Sequence, residues 1–146
     1  MNAVWRHTLL VAAGVGQLIL AAASLAIPRV LRWPDDLARL RPLTRQVFWT
    51  YAGYIWATNL SFGLVSALAP GWLLDGTPLA GAVCGYIATY WGARVVIQFV
   101  YFDRSDAPKG PLYSLAEAAL VALFVGLTCV YGGLAVRAFL GPGFGR

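Results

Sequence analysis

Four long apolar runs constrain this chain more than any other feature of its sequence. They cover about residues 8–27, 47–68, 79–102 and 112–136, and short segments rich in Pro, Gly and Arg separate them. An α-helix needs about 20 mostly apolar residues to cross the hydrocarbon core of a bilayer. Backbone amides in lipid must be hydrogen-bonded within the protein, and the runs show no strand alternation. The sequence therefore predicts an all-α integral membrane protein with four spans.

Composition narrows the class further. Only 12% of the residues are charged and 60% are hydrophobic, whereas soluble domains carry about 25% charged residues. The net charge of +5 comes mostly from arginines in short loops beside the apolar runs. Positive residues at such positions typically determine the orientation of membrane proteins, and no nucleic-acid-binding motif accompanies them. Nucleic acid is therefore excluded as a partner.

Few residues are available to ligate a metal or a prosthetic group. His7 is the only histidine, and Cys84 and Cys129 lie in separate apolar runs without a CxxC motif. A bis-His haem within one chain and a His-rich metal site are both excluded, and no metal ligands are predicted. The sequence names no cofactor.

The distribution of positive charge predicts the orientation of a single domain, residues 1–146, folded as an up-down-up-down four-helix bundle. Four spans place both termini on one side of the membrane. The loops 28–46 and 103–111 carry seven positive residues, and the terminal side carries three: Arg6, Arg137 and Arg146. The positive-inside rule places the two loops in the cytoplasm and both termini outside. The predicted location is a bacterial inner membrane.

The first run has a second interpretation, because Arg6, an apolar middle and the small-residue segment AAASLA also fit a cleaved leader. Cleavage would place the Arg-rich loop outside, against the usual charge bias, so a retained span is favoured.

A short interfacial helix is predicted in the first cytoplasmic loop. Pro34, Asp35 and Asp36 are typical of a helix start, with acid at the positive end of the helix dipole. Leucines and arginines then alternate, as Leu37, Leu40 and Leu43 against Arg39, Arg41 and Arg45. Such a helix would bury its leucines in the interface and offer its arginines to anionic headgroups. An ordinary basic loop that only sets topology is the alternative.

Each span contains one strongly polar residue, and these four residues predict a shared polar layer. They are Gln17, Asn59, Arg94 and Glu117, and counting about 1.5 Å of rise per residue brings their depths into overlap. Tyr90 and Gln98 lie near Arg94 on the third span. An arginine at the centre of a membrane helix costs about 2.5–3.5 kcal/mol. Three interpretations stay open: it snorkels toward the headgroups, it pairs with Glu117, or it binds an acidic or carbonyl-bearing ligand.

The opposite face of the third span carries small residues. Gly81, Gly85 and Gly92 lie on one stripe, and small residues let a neighbouring helix approach closely. We expect this stripe to pack against another helix.

The leading functional hypothesis is a small, non-catalytic membrane subunit or binding protein that contacts partner helices, lipid or an apolar cofactor through its aromatic and small-residue faces. Membrane lipid and other membrane subunits, or a second copy, are the expected partners. No catalytic pair is evident, although enzyme activity is not decided. Two alternatives stay open: an enzyme or carrier for a lipid-like substrate at the Tyr90, Arg94, Gln98 and Glu117 cluster, and an oligomeric transporter or channel.

Overall fold

The computed structural model describes residues 2–102 and 110–140. Those residues are helical without strands. Four long helices, α1 (Ala3–Ser24), α4 (Pro42–Leu68), α6 (Pro78–Val100) and α7 (Pro111–Leu140), are joined by the short helices α2 (Ile27–Val30), α3 (Trp33–Leu37) and α5 (Pro70–Leu74). The all-α prediction is confirmed for this part of the chain.

Three of the long helices are long and apolar enough to cross a membrane: α1, α6 and α7. This indicates a membrane protein. Helix α4 has the length, at 27 residues, but falls outside that group because Trp, Tyr, Thr, Asn and Ser interrupt its apolar sequence. The fourth span and the up-down-up-down arrangement therefore stay predictions.

Prolines begin most of the helices. Pro42, Pro70, Pro78 and Pro111 are the first residues of α4, α5, α6 and α7. Proline suits this position because its missing N–H is one that no helix carbonyl would accept, and its fixed φ matches the helix. At α6 the preceding Thr77 also caps the helix, since its hydroxyl accepts a hydrogen bond from the Ala80 amide at 3.2 Å.

The short helix in the first loop is α3. It includes Pro34, Asp35 and Asp36, and Asp35 forms an ion pair with Arg32 at 3.0 Å. It ends at Leu37, earlier than the leucine pattern predicts, because the chain turns at residues 38–41 and Leu43 already belongs to α4. Leu37 is buried, while Leu40 and Leu43 are exposed, as are the three predicted headgroup residues: Arg39, Arg41 and Arg45.

The long helices pack as two pairs, α1 with α4 and α6 with α7, and α1 also contacts α7 while α5 touches both α1 and α6. Buried residues recur at spacings of three and four, as Leu10, Gly14, Gln17 and Ala21 on α1 and Ala80, Cys84, Ile87 and Trp91 on α6. This spacing is typical of helices that cross at a shallow angle.

The predicted glycine stripe of α6 faces α7. A Cβ placed on Gly81 would lie 2.8 Å from the Cβ of Ala138. A Cβ on Gly85 would lie 3.8 Å from the Cβ of Ala135, and one on Gly92 would lie 3.5 Å from the Cγ2 of Thr128. Of the three, only Gly81 is at a spacing that a methyl group cannot occupy without movement.

The closest approach between helix backbones brings α1 against α4. A Cβ on Gly14 would lie 2.6 Å from the Ala67 amide nitrogen and 2.9 Å from the Ser66 carbonyl carbon, and a Cβ on Gly63 would lie 2.9 Å from Leu18. In lipid, helices associate through such close packing and through hydrogen bonds, because the surrounding tails are as apolar as the side chains. Gly14 and Gly63 therefore set the spacing of this pair.

We expect Gly14→Ala to destabilise the protein by about 1–3 kcal/mol, because its methyl group meets rigid backbone rather than a mobile side chain. The free energy of unfolding in mixed micelles measures the effect. Gly126→Ala on α7 is the matched control: nothing lies within 4 Å of its added Cβ. An equal change in both variants would show that Gly14 is not a packing contact.

Candidate functional site

The most enclosed polar group of the structure contains one side chain from each long helix. Gln17, Ser66, Trp91 and Tyr131, from α1, α4, α6 and α7, have exposed fractions of 0%, 0%, 1% and 0%. We call these four residues the central network. Only Gln17 belongs to the predicted polar layer.

Gln17 satisfies both ends of its side-chain amide within the central network. Its Nε2 donates to the Tyr131 hydroxyl at 2.7 Å and lies 3.3 Å from the Ala13 carbonyl oxygen. Its Oε1 accepts from the Trp91 indole Nε1 at 3.1 Å. The Tyr131 hydroxyl also shares a hydrogen bond with Ser66 Oγ. Every polar side-chain atom of the four residues therefore has a partner, as burial in a low-dielectric interior requires.

A second polar group lies on α6 and its neighbours. Gln98 Nε2 donates to Glu117 Oε1 at 3.1 Å. Asn59 and Arg94 both lie close to Tyr90. We call these five residues the tyrosine–arginine cluster. All five are half-buried.

Arg94 contacts aromatic rings. Its guanidinium carbon lies 5.1 Å from the ring centre of Phe102 and 5.9 Å from that of Phe124. Among residues 2–102 and 110–140 the ion pair formed is Arg32–Asp35, so no ion pair joins Arg94 to Glu117. Cation–π contacts contribute about 0.5–2 kcal/mol, which offsets part of the cost of placing the arginine here.

The two groups share one aromatic ring. Phe124 contacts Arg94 on one side and stacks on Trp91, with ring centres 5.1 Å apart. Phe62 packs edge-on against Tyr90 at 5.4 Å and against Tyr86 at 5.8 Å. Aromatic packing therefore connects the tyrosine–arginine cluster to the central network, and it connects α4 to α6.

The structure thus divides the predicted polar layer. Asn59, Tyr90, Arg94, Gln98 and Glu117 lie in one neighbourhood, while Gln17 hydrogen-bonds with residues that the layer does not include. Counting residues along each helix assigns depth but not the direction of a side chain, which explains the difference. The buried spacing Leu10, Gly14, Gln17 and Ala21 on α1 is the sequence signal that places Gln17 on an inward face.

One polar atom of the tyrosine–arginine cluster is unsatisfied. The side-chain oxygen Oδ1 of Asn59 is buried and has no hydrogen-bond partner in the part of the chain that the structure describes. An unpaired buried acceptor costs about 1–3 kcal/mol. The tyrosine–arginine cluster therefore combines this acceptor with the half-buried Arg94. In the central network, by contrast, every polar side-chain atom has a partner.

Comparison of the chain with protein-family models, with curated proteins and with solved structures gives no match.

We expect Gln17→Leu to lower the free energy of unfolding by about 2–4 kcal/mol. The substitution leaves the buried Trp91 N–H without its acceptor and removes one hydrogen bond from the Tyr131 hydroxyl. Equilibrium unfolding in mixed micelles measures the loss. Gln46→Leu is the control, since Gln46 lies exposed on α4 and its replacement should change stability by less than about 0.5 kcal/mol. Similar losses in the two variants would argue against a central network.

Double-mutant cycles should separate the contacts of Glu117. The Gln98→Ala and Glu117→Ala pair should show a coupling energy of about 0.6–1.7 kcal/mol, the range for hydrogen bonds between membrane helices. The Arg94→Ala and Glu117→Ala pair should show a smaller one, because no ion pair joins these residues. A larger coupling for Arg94 with Glu117 would contradict the observed geometry.

Proposed function

We propose that the protein is a small, non-catalytic membrane subunit whose helix α4 binds the helix of a partner. The observation that carries the proposal is an exposed face of α4 with the spacing of a helix-packing seam. Its residues recur at intervals of three and four and all are exposed: Val47, Thr50, Tyr54, Ala57, Ser61, Leu64 and Leu68. We call this face the α4 seam.

Small residues lie along the middle of the α4 seam. Ala57 and Ser61 belong to the seam, and Gly53 borders it one turn before Ala57. The three follow each other at intervals of four, and all three are exposed. A small residue at every fourth position lets a second backbone approach closely, as in membrane helix pairs. Gly63, which contacts α1, lies on the inward face of the same helix, so α4 carries separate small surfaces for its own pair and for a partner.

The composition of α4 supports covering this face with protein rather than lipid. Tyr51 and Tyr54 are 63% and 65% exposed, and α4 is absent from the three helices apolar enough to span a bilayer by themselves. The hydroxyls of Thr50 and Ser61 bond carbonyls of their own helix at 2.9 and 2.8 Å. Such hydroxyls tolerate an apolar surrounding and can still accept a hydrogen bond from a neighbour.

A second candidate function has its own observation. Within residues 2–102 and 110–140, the tyrosine–arginine cluster holds the unpaired Oδ1 of Asn59 and an Arg94 guanidinium that forms no ion pair. Such groups suit a lipid-like molecule that carries a carbonyl or carboxylate, which would make the protein an enzyme or carrier. The α4 seam favours the subunit hypothesis because it is larger and organised for a helix.

Purification in a mild detergent tests the leading proposal. A tagged chain should co-purify with a helical membrane partner or with a differently tagged second copy. Gly53→Leu should reduce this association at least tenfold while leaving the protein folded, because nothing lies within 4 Å of an added Cβ.

Gly126→Leu on the exposed face of α7 is the control and should leave association unchanged. A chain that purifies alone, or one that loses its partner equally in both variants, would rule out the α4 seam as an interface. Organic extraction of the same sample reports on the second candidate, since a tightly held lipid-like molecule would appear there and disappear in Arg94→Ala.

A further inference from the structure

A groove between α1 and α7 brings together two arginines from opposite ends of the sequence. It has a volume of about 380 Å³, and its lining includes Arg6 and Arg137 together with Leu9, Val130, Gly133 and Leu134. Arg6 lies four residues into α1, and Arg137 lies in the last turn of α7. The groove therefore lies at the end of the molecule where α1 begins and α7 ends. In a membrane, this end of the two helices lies at the level of the lipid headgroups.

No carboxylate among the described residues balances the positive charges of this groove. In the described ranges 2–102 and 110–140, neither arginine forms an ion pair, and no carboxylate lines the groove. Arg6 lies near the positive N-terminal end of α1 and Arg137 near the negative C-terminal end of α7, so the two helix dipoles offset each other. The two guanidinium charges remain as the positive charge of the groove.

One of the donors is buried without a partner. Arg6 Nε is shielded from solvent and makes no hydrogen bond within the described residues. A buried charged donor without an acceptor is unfavourable by itself, and a planar guanidinium presents paired N–H groups that match phosphate oxygens. Arg6 therefore brings to the groove a guanidinium that forms no ion pair within residues 2–102 and 110–140.

The remainder of the groove is apolar. Leu9, Val130 and Leu134 line it. Gly133 leaves open space in this lining, because a Cβ added there would have no atom within 4 Å. A free phosphate would use the two arginines but not this apolar wall. An apolar wall beside two cations suits an amphipathic anion rather than a small inorganic one.

We propose that this groove binds one anionic glycerophospholipid, with its phosphate between Arg6 and Arg137 and an acyl chain against Leu9 and Val130. The site is independent of the α4 seam, which lies on a different helix. Each arginine contributes about fivefold to the preference for an anionic over a zwitterionic lipid.

Native mass spectrometry of the full chain from nanodiscs tests the proposal. With equal amounts of phosphatidylglycerol and phosphatidylcholine, the wild-type chain should retain one phosphatidylglycerol preferentially. The double variant Arg6→Gln and Arg137→Gln should lose this preference by about 25-fold, while the corresponding lysine variants should keep part of it. Arg29→Gln with Arg32→Gln, at exposed positions of the first loop, is the charge-matched control and should retain the lipid.

Two further measurements separate the headgroup from the acyl chain. Gly133→Leu should fill the apolar opening and reduce lipid retention with both arginines intact, whereas Gly126→Leu should not. Inorganic phosphate should raise the thermal unfolding temperature less than phosphatidylglycerol does. Equal retention of the two lipids by the wild type, equal losses in variant and control, or an equal shift with phosphate alone would each overturn the proposal.

Discussion

The hydrogen bonds of Gln17 are the interaction on which the interior of this protein depends. A primary amide in an apolar interior is costly unless both its oxygen and its nitrogen are satisfied. Here the Gln17 amide forms hydrogen bonds with Trp91 and Tyr131 on two other helices. The Tyr131 hydroxyl in turn shares a hydrogen bond with Ser66 on a third helix. Because each bond depends on the position of a different helix, the network defines how the two helix pairs are placed against each other.

This network requires the close packing of α1 on α4. Gly14 and Gly63 allow the two backbones to approach, and Ser66 lies one turn from Gly63 on the same face. The Trp56 indole adds a bond to the Ala21 carbonyl oxygen at 3.0 Å, which satisfies one of the last acceptors of α1. Packing and hydrogen bonding thus reinforce each other, as expected where lipid offers no hydrophobic force between helices.

Two buried polar groups without a partner among the described residues lie outside the central network, near the sites that we propose for other molecules. The Asn59 oxygen and the Arg6 Nε are the buried side-chain atoms without partners within residues 2–102 and 110–140. The first belongs to the tyrosine–arginine cluster and the second to the groove between α1 and α7. The α4 seam differs from both, because its exposed surface is shaped for a helix rather than charged for an anion. The contacts of the interior thus account for helix packing, and the surfaces that we propose for binding lie at the periphery.

The sequence by itself determined the helical class, since this follows from the length of the apolar runs. Three of the four predicted spans are helices long and apolar enough to cross a membrane, and the starts predicted at about residues 79 and 112 lie one residue from those of α6 and α7. The sequence also identified Asn59, Tyr90, Arg94, Gln98 and Glu117, which the structure places in one neighbourhood. It did not identify Ser66, Trp91 and Tyr131 as partners of Gln17, or Arg6 and Arg137 as neighbours. Only the tertiary structure decided these, because residue counting measures height along a helix, whereas a contact depends on the rotation of each helix and on the spacing that Gly14 and Gly63 allow.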